Sequence, residues 1–135
     1  MPDQLSALQS DRNAVVQQLA RLGDFRPGSV TAAFRRCGKP SCHCAQAKDP
    51  GHGPAFQFTY KTGGKTVTET LPSHAAVEKA QREVAEFRKF EQLSRQWIEV
   101  NQKICRLRPV QPEPEGWTAE EKKRLLQSIR KSRGK

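Results

Sequence analysis

The chain has 135 residues, of which 35% are apolar and 7% aromatic, and a formal net charge of +10. So little apolar material makes a small core, with no room for a large enclosed substrate pocket, and no run of about 18 apolar residues could cross a membrane. The opening string MPDQLSALQSDR has neither a basic n-region nor an apolar h-region, so it does not read as a signal peptide, and the expected location is the cytoplasm, where thiols stay reduced.

Residues 3–22 read as an amphipathic helix. Leu5, Leu8, Val15, Leu19 and Leu22 recur at helical spacing, with Arg12 breaking the stripe. Pro2 and Asp3 suit its start, and Gly23 suits its C-cap. Residues 29–36 read as a short strand after a Pro-Gly turn. Residues 37–54, CGKPSCHCAQAKDPGHGP, form a compact turn-rich loop without regular structure of its own.

Residues 55–71 carry a β-hairpin. Phe56, Phe58 and Tyr60 alternate with Gln57, Thr59 and Lys61, and Gly63-Gly64 supplies the positive φ angles of a two-residue type I′ turn. A strand before the cysteine loop would make the sheet three-stranded. Ser73 can cap a long helix over 73–107, about 50 Å if continuous. Its stripe is Val77, Ala80, Val84, Phe87, Phe90, Leu93, Trp97, Val100, Ile104 and Leu107, a heptad-like seam with a stammer near Phe87–Leu93. The stripe is longer than the N-terminal helix can cover. The excess is expected to pack on the sheet or on a second protomer, as a homodimer or hetero-complex. Residues 108–116 are a Pro-rich stiff linker. Thr118 and Glu121 then form a capping box opening a short basic helix within 117–135. The fold class is therefore α+β: residues 1–107 hold the helix, knuckle, hairpin and long coiled-coil-like helix, 108–116 the linker, and 117–135 the C-terminal helix and tail.

Cys37, Cys42, Cys44 and His52 follow C-x4-C-x-C-x7-H. Three thiolates and an imidazole make a tetrahedral structural zinc set, and the surrounding Gly and Pro let the backbone fold around an ion. Arg35, Arg36, Lys39 and Lys48 would lower the thiol pKa values and offset the charge of three thiolates. Such a site adds folding energy that a small core lacks. For the fourth ligand His52 comes first, with His43, His74 and Asp49 as rivals. Cys105 reads as a core residue of the long helix rather than a ligand. A disulfide does not suit a reducing compartment, and free thiols prefer less polar surroundings. The spacing is uncommon for an iron–sulfur cluster, and no oxyanion-hole motif accompanies a Cys–His pair. Gly63-Gly64-Lys65-Thr66 resembles the end of a phosphate loop but sits in a hairpin turn. Nothing else suggests an enzyme.

The charge is uneven. Between residues 25 and 72 the acids are Asp49 and Glu69, against Arg26, Arg35, Arg36, Lys39, Lys48, Lys61 and Lys65. The tail adds Lys122, Lys123, Arg124, Arg130, Lys131, Arg133 and Lys135. This pattern fits a polyanion, with nucleic acid, DNA or RNA, first and a membrane surface second. Arg35, Arg36, Lys39, Lys48, Lys61 and Lys65, joined by the tail, are the expected phosphate contacts. Phe56, Phe58 and Tyr60 could stack on bases, but a buried hairpin face is the simpler reading.

The string F-R-R-C-G-K-P-S-C-H-C-A, followed by G-H-G-P, an aromatic strand, a G-G-K-T turn, L-P and a long helix, resembles a family of small bacterial proteins of unknown function, often encoded beside transposases. The resemblance spans about residues 27–107. It implies a cysteine-rich knuckle and a coiled-coil-like helix, carries no established activity, and raises the expectation of a nucleic-acid role in a mobile element. The functional expectation is a non-catalytic, zinc-binding, nucleic-acid-binding accessory protein, with a transposase or recombinase as a possible partner. The alternative is a protein–protein adaptor or oligomerisation module acting through the long helix.

Overall fold

The computed structural model describes residues 3–110 and 116–134. Pro2, residues 111–115 of the Pro-rich linker, and Lys135 lie outside the described residues. The chain runs α1 (Gln4–Ala20), β1 (Ser29–Arg35), a short 3₁₀ turn (His43–Ala45), β2 (His52–Thr62), β3 (Lys65–Leu71), α2 (His74–Leu107) and α3 (Ala119–Arg133). The class is α+β, as the sequence suggests. The strands form one antiparallel meander in the order β1-β2-β3.

Local chemistry sets most boundaries. Asp3 caps α1 by accepting from the Ser6 N–H at 2.6 Å, and Ser73 caps α2 by accepting from Ala76. Thr118 and Glu121 make both bonds of the capping box that opens α3. Gly63 and Gly64 have φ of 55° and 77°, as a type I′ turn requires.

Two boundaries differ from the sequence reading. The C-cap of α1 is Arg21, not Gly23. Gly23 instead donates its N–H to Glu86 Oε2 at 2.9 Å, because the turn is drawn onto α2. The cysteine loop is also shorter than expected: it contains the 3₁₀ turn, and β2 begins at His52, which still pairs with Arg35 of β1.

The core lies where the sheet meets α2. Phe58, 1% exposed, packs with Ala80 and Val84 of α2, and Val30, Tyr60 and Leu71 surround them. The segment between α1 and β1 closes this core from one side. The Arg26 guanidinium sits 4.0 Å over the Phe58 ring and pairs with Glu83 at 3.0 Å, while the Arg26 N–H donates to the Glu83 carbonyl. Phe25 stacks on Phe90 at 4.9 Å and reaches Phe87 at 6.0 Å.

Beyond that point α1 packs antiparallel on the second half of α2. Val15, Leu93, Val100 and Ile104 are buried there. Arg12, which breaks the apolar stripe of α1, uses the gap to donate to Asn101 Oδ1. The long stripe of α2 is thus divided among the sheet, the segment between α1 and β1, and α1, rather than kept as one seam for a second long helix. Trp97, at 41% exposed, is not a core residue as its place in the stripe suggests, and Cys105, expected in the core, is exposed. Both fall beyond the strip that the single narrow helix α1 covers.

Gly28 has φ 145°, and a Cβ there would stand 2.4 Å from Phe58 Cζ. Gly28→Ala is expected to destabilise the fold by about 2 kcal/mol or more through this clash. Gly23→Ala, whose Cβ would meet only Glu86 Oε2 at 3.8 Å, should be close to neutral; urea unfolding of the two variants checks this. The Glu83 carboxyl is held below its ordinary value of 4.5, first by the Lys79 ammonium and also by Arg26. A depressed carboxylate stabilises the fold above its unfolded pKa, and that contribution is lost as the pH falls through the folded value. The stability difference between the native chain and Glu83→Gln should therefore be constant from neutral pH to about 5 and shrink below about 4.

Candidate metal centre

The knuckle grows from the free ends of β1 and β2. Regular pairing runs down to Ala33 opposite Ala55, and then the register slips by one residue. The slip sets His52 opposite Arg35, where an unbroken ladder would set Gly53. Cys37 leaves β1 two residues later, so Cys37 and His52 stand together at the mouth of the loop.

Inside the loop, Cys42 N–H donates to Lys39 O at 3.1 Å and Ala45 N–H to Cys42 O at 3.0 Å. These turns bring Cys42 and Cys44 back toward the mouth. Arg36 ties the loop down. Its Nη1 donates to the carbonyls of Cys44 and Gln46, the latter at 3.0 Å, and its Nη2 donates to the carbonyl of Asp49 at 2.8 Å. The sequence reading assigned Arg36 to phosphate; the structure adds a role as the knuckle's internal clamp.

The ligand atoms of Cys37, Cys42, Cys44 and His52 all lie within 4.8 Å of one another and could hold a metal ion. Cys37 Sγ is 3.5 Å from Cys44 Sγ, and Cys42 Sγ is 3.1 Å from His52 Nε2. A tetrahedral ion with metal–sulfur bonds of about 2.3 Å has sulfur–sulfur edges of about 3.8 Å, so the donor set is close to the size such an ion needs. Cys44 is buried at 1% exposed, Cys42 is half-buried, and Cys37 and His52 are exposed.

The electrostatics match a cation site. The Cys37 thiol is lowered to about 6, first by the Lys39 backbone N–H and then by hydrogen bonds from His52, Cys44 and Cys42. The Cys44 thiol is raised: the Cys37 N–H lowers it, but burial and the neighbouring Cys37 and Cys42 sulfurs together outweigh that bond. One sulfur of the pair is favoured as a thiolate at the other's expense, and a cation between them would relieve that conflict.

Of the four rivals for the last ligand, His52 is the one in the cluster. His43 Nδ1 meets Asp49 Oδ2 at 2.9 Å, so these two satisfy each other. Asp49 is held low, first by His43 and then by the Gly51 N–H, which donates to its Oδ1 at 2.8 Å. The His43 ring lies edge-on to His52 with centroids 4.9 Å apart. His74 stands on the first turn of α2 beside Glu78, at 3.7 Å. Cys105 lies outside the cluster.

The basic residues do not form one face. Arg35, Lys39 and Lys48 surround the knuckle, whereas Lys61 and Lys65 flank the Gly63-Gly64 turn at the opposite end of the hairpin, about 30 Å away by strand rise. Lys122, Lys123, Arg124, Arg130, Lys131 and Arg133 lie on α3, which buries no residue. All of these are exposed, and none is in an ion pair among the described residues. The sequence reading missed the exposed ring of Phe34 beside the knuckle. Its place next to Arg35 and Arg36 was the only signal, and the Val-Thr-Ala-Ala-Phe run does not reveal which rings the helix covers.

No curated protein and no solved structure matches this chain. The model of one family matches residues 5–82, from α1 through the knuckle and sheet into the first turns of α2. That segment starts and stops earlier than the resemblance seen in the sequence, and it includes the whole donor set. The chain belongs to the family described as a domain of unknown function (DUF6788).

Proposed function

We propose that the chain is a non-catalytic nucleic-acid-binding accessory protein whose knuckle is built around a structural Zn²⁺. The observation that carries the reading is the donor set itself: three sulfurs and one imidazole nitrogen within 4.8 Å, with exposed basic side chains around it. Cys37, Cys42, Cys44 and His52 would hold the ion. Zinc prefers this set among common divalent ions, and four protein ligands leave it no open position for chemistry. Bound there, it supplies a cross-link between the ends of β1 and β2. Arg36 orients the loop carbonyls, and Asp49 turns His43 away from the donor set.

Arg35, Lys39 and Lys48 would meet phosphate, with Lys61, Lys65 and α3 as further contacts on a long polyanion. Such contacts position without reading sequence. The resemblance to proteins encoded beside transposases supports a mobile-element setting, with a transposase or recombinase as partner. The cytoplasm, where thiols stay reduced, suits the free donor set. A second reading, an adaptor acting through α2, is favoured by the exposed strip of Trp97, Ile98 and Cys105.

Elemental analysis of the intact chain should find about one zinc per chain, and Cys44→Ser should abolish it. Arg36→Ala should weaken zinc binding roughly 10–100-fold in competition with a chromophoric chelator, as loss of an outer-shell partner does. Folded protein without zinc would overturn the metal reading. In anisotropy titrations Arg35→Ala and Lys39→Ala should each flatten the salt dependence of nucleic-acid binding by about one unit of slope, with Trp97→Glu leaving it unchanged. Salt-insensitive self-association lost in Trp97→Glu, without polyanion binding, would favour the adaptor.

A further inference from the structure

The chain has six phenylalanines. Phe25, itself 42% exposed, clusters with Phe87 and Phe90 through ring contacts of 4.9–6.0 Å, and Phe58 is the centre of the core. The other two, Phe34 and Phe56, are 49% and 38% exposed and share no ring contact with another aromatic side chain among the described residues. Leaving two of the chain's few large apolar rings in water is costly unless something covers them.

Their placement is specific. Phe56 pairs with Ala32 in the β1–β2 ladder, and Phe34 lies two residues further along β1 on the same face. They are diagonal neighbours, about 7–8 Å apart by sheet geometry. Phe56 lies two residues from Phe58 toward His52, beyond the part of the sheet that Ala80 and Val84 cover. Phe34 is seated against the bulge: a Cβ on Gly53 would stand 3.3 Å from Phe34 Cδ1.

The surroundings point to one kind of occupant. Lys39 and Lys48 lie in the adjoining knuckle, both exposed, and Arg35, one residue past Phe34 and so on the other face of β1, stands exposed at the strand's end. The one acid of the knuckle, Asp49, is already engaged by His43 and the Gly51 N–H. Exposed cations beside two half-exposed aromatic rings suit a ligand with anionic phosphates and flat bases free to leave their own stack. Duplex nucleic acid offers the phosphates but keeps its bases stacked inside.

We propose that the Phe34–Phe56 patch and the neighbouring knuckle bind single-stranded nucleic acid, the rings stacking on bases while Lys39 and Lys48 of the knuckle hold the phosphates. This rests on the nucleic-acid reading above and narrows it to one strand form and one face. Base–aromatic stacking tolerates any sequence, so the binding is general rather than base-specific.

The test is anisotropy of a fluorescein-labelled oligothymidylate, and of a duplex of the same length, titrated with the full-length zinc-containing chain. Phe34→Leu and Phe56→Leu keep an apolar side chain of similar size and remove the ring. Each should weaken oligothymidylate binding about tenfold or more while leaving zinc content, circular dichroism and the weaker duplex binding unchanged. Leucine variants that bind oligothymidylate like the native chain, or a native chain that prefers duplex, would overturn the stacking proposal and leave the nucleic-acid reading standing. A native chain that binds neither probe at low salt would overturn both. If leucine is tolerated and an apolar protein partner is retained at high salt, the patch is a protein-docking surface instead.

Discussion

The ring of Phe58 is the point on which the other elements converge. It belongs to the central strand, packs with Ala80 and Val84 of α2, and carries the Arg26 guanidinium over its ring. Arg26 in turn grips Glu83, and this ties the segment after α1 to the same stretch of α2. In a chain only 35% apolar, few side chains can bury as much area as one aromatic ring, so the sheet, the segment after α1 and the helix share this one. Gly28 follows from it, because any side chain there would occupy the ring's space.

The knuckle lies beyond the reach of that core. Between Cys37 and His52 only Cys44 and Gly51 are buried, and no apolar cluster holds the loop. Its order comes from polar bonds: Arg36 on three carbonyls, Asp49 on His43 and the Gly51 N–H, and the crowded sulfurs. Crowded thiols oppose one another electrostatically, which is visible in the opposite directions of the Cys37 and Cys44 shifts. A cation turns that opposition into a cross-link, so the proposed ion and the fold of the loop are one problem.

The same economy shapes the surface. Once α1, Phe25 and the sheet have covered their shares of α2, the strip around Trp97 and the pair Phe34–Phe56 are left over. One lies in a helical surface of mixed charge, the other beside a basic loop. That difference in setting, rather than apolarity alone, separates the adaptor reading from the nucleic-acid reading.

Much of this was legible in the residues. The caps at Ser73 and Thr118, the Gly63-Gly64 turn, the three strands and the length of α2 depend on local chemistry that acts within a few residues. The donor spacing, too, singled out Cys37, Cys42, Cys44 and four rivals for the last place. Choosing among those rivals needed the tertiary structure, because a one-residue slip between β1 and β2 aims His52 into the cluster, and slips are set by pairing across strands. The double role of Arg36, the separation of Lys61 and Lys65 from the knuckle, and the exposure of Trp97, Cys105, Phe34 and Phe56 were likewise out of reach. A periodic stripe says which side chains share a face; how much of that face a neighbour covers depends on contacts between segments far apart in the chain.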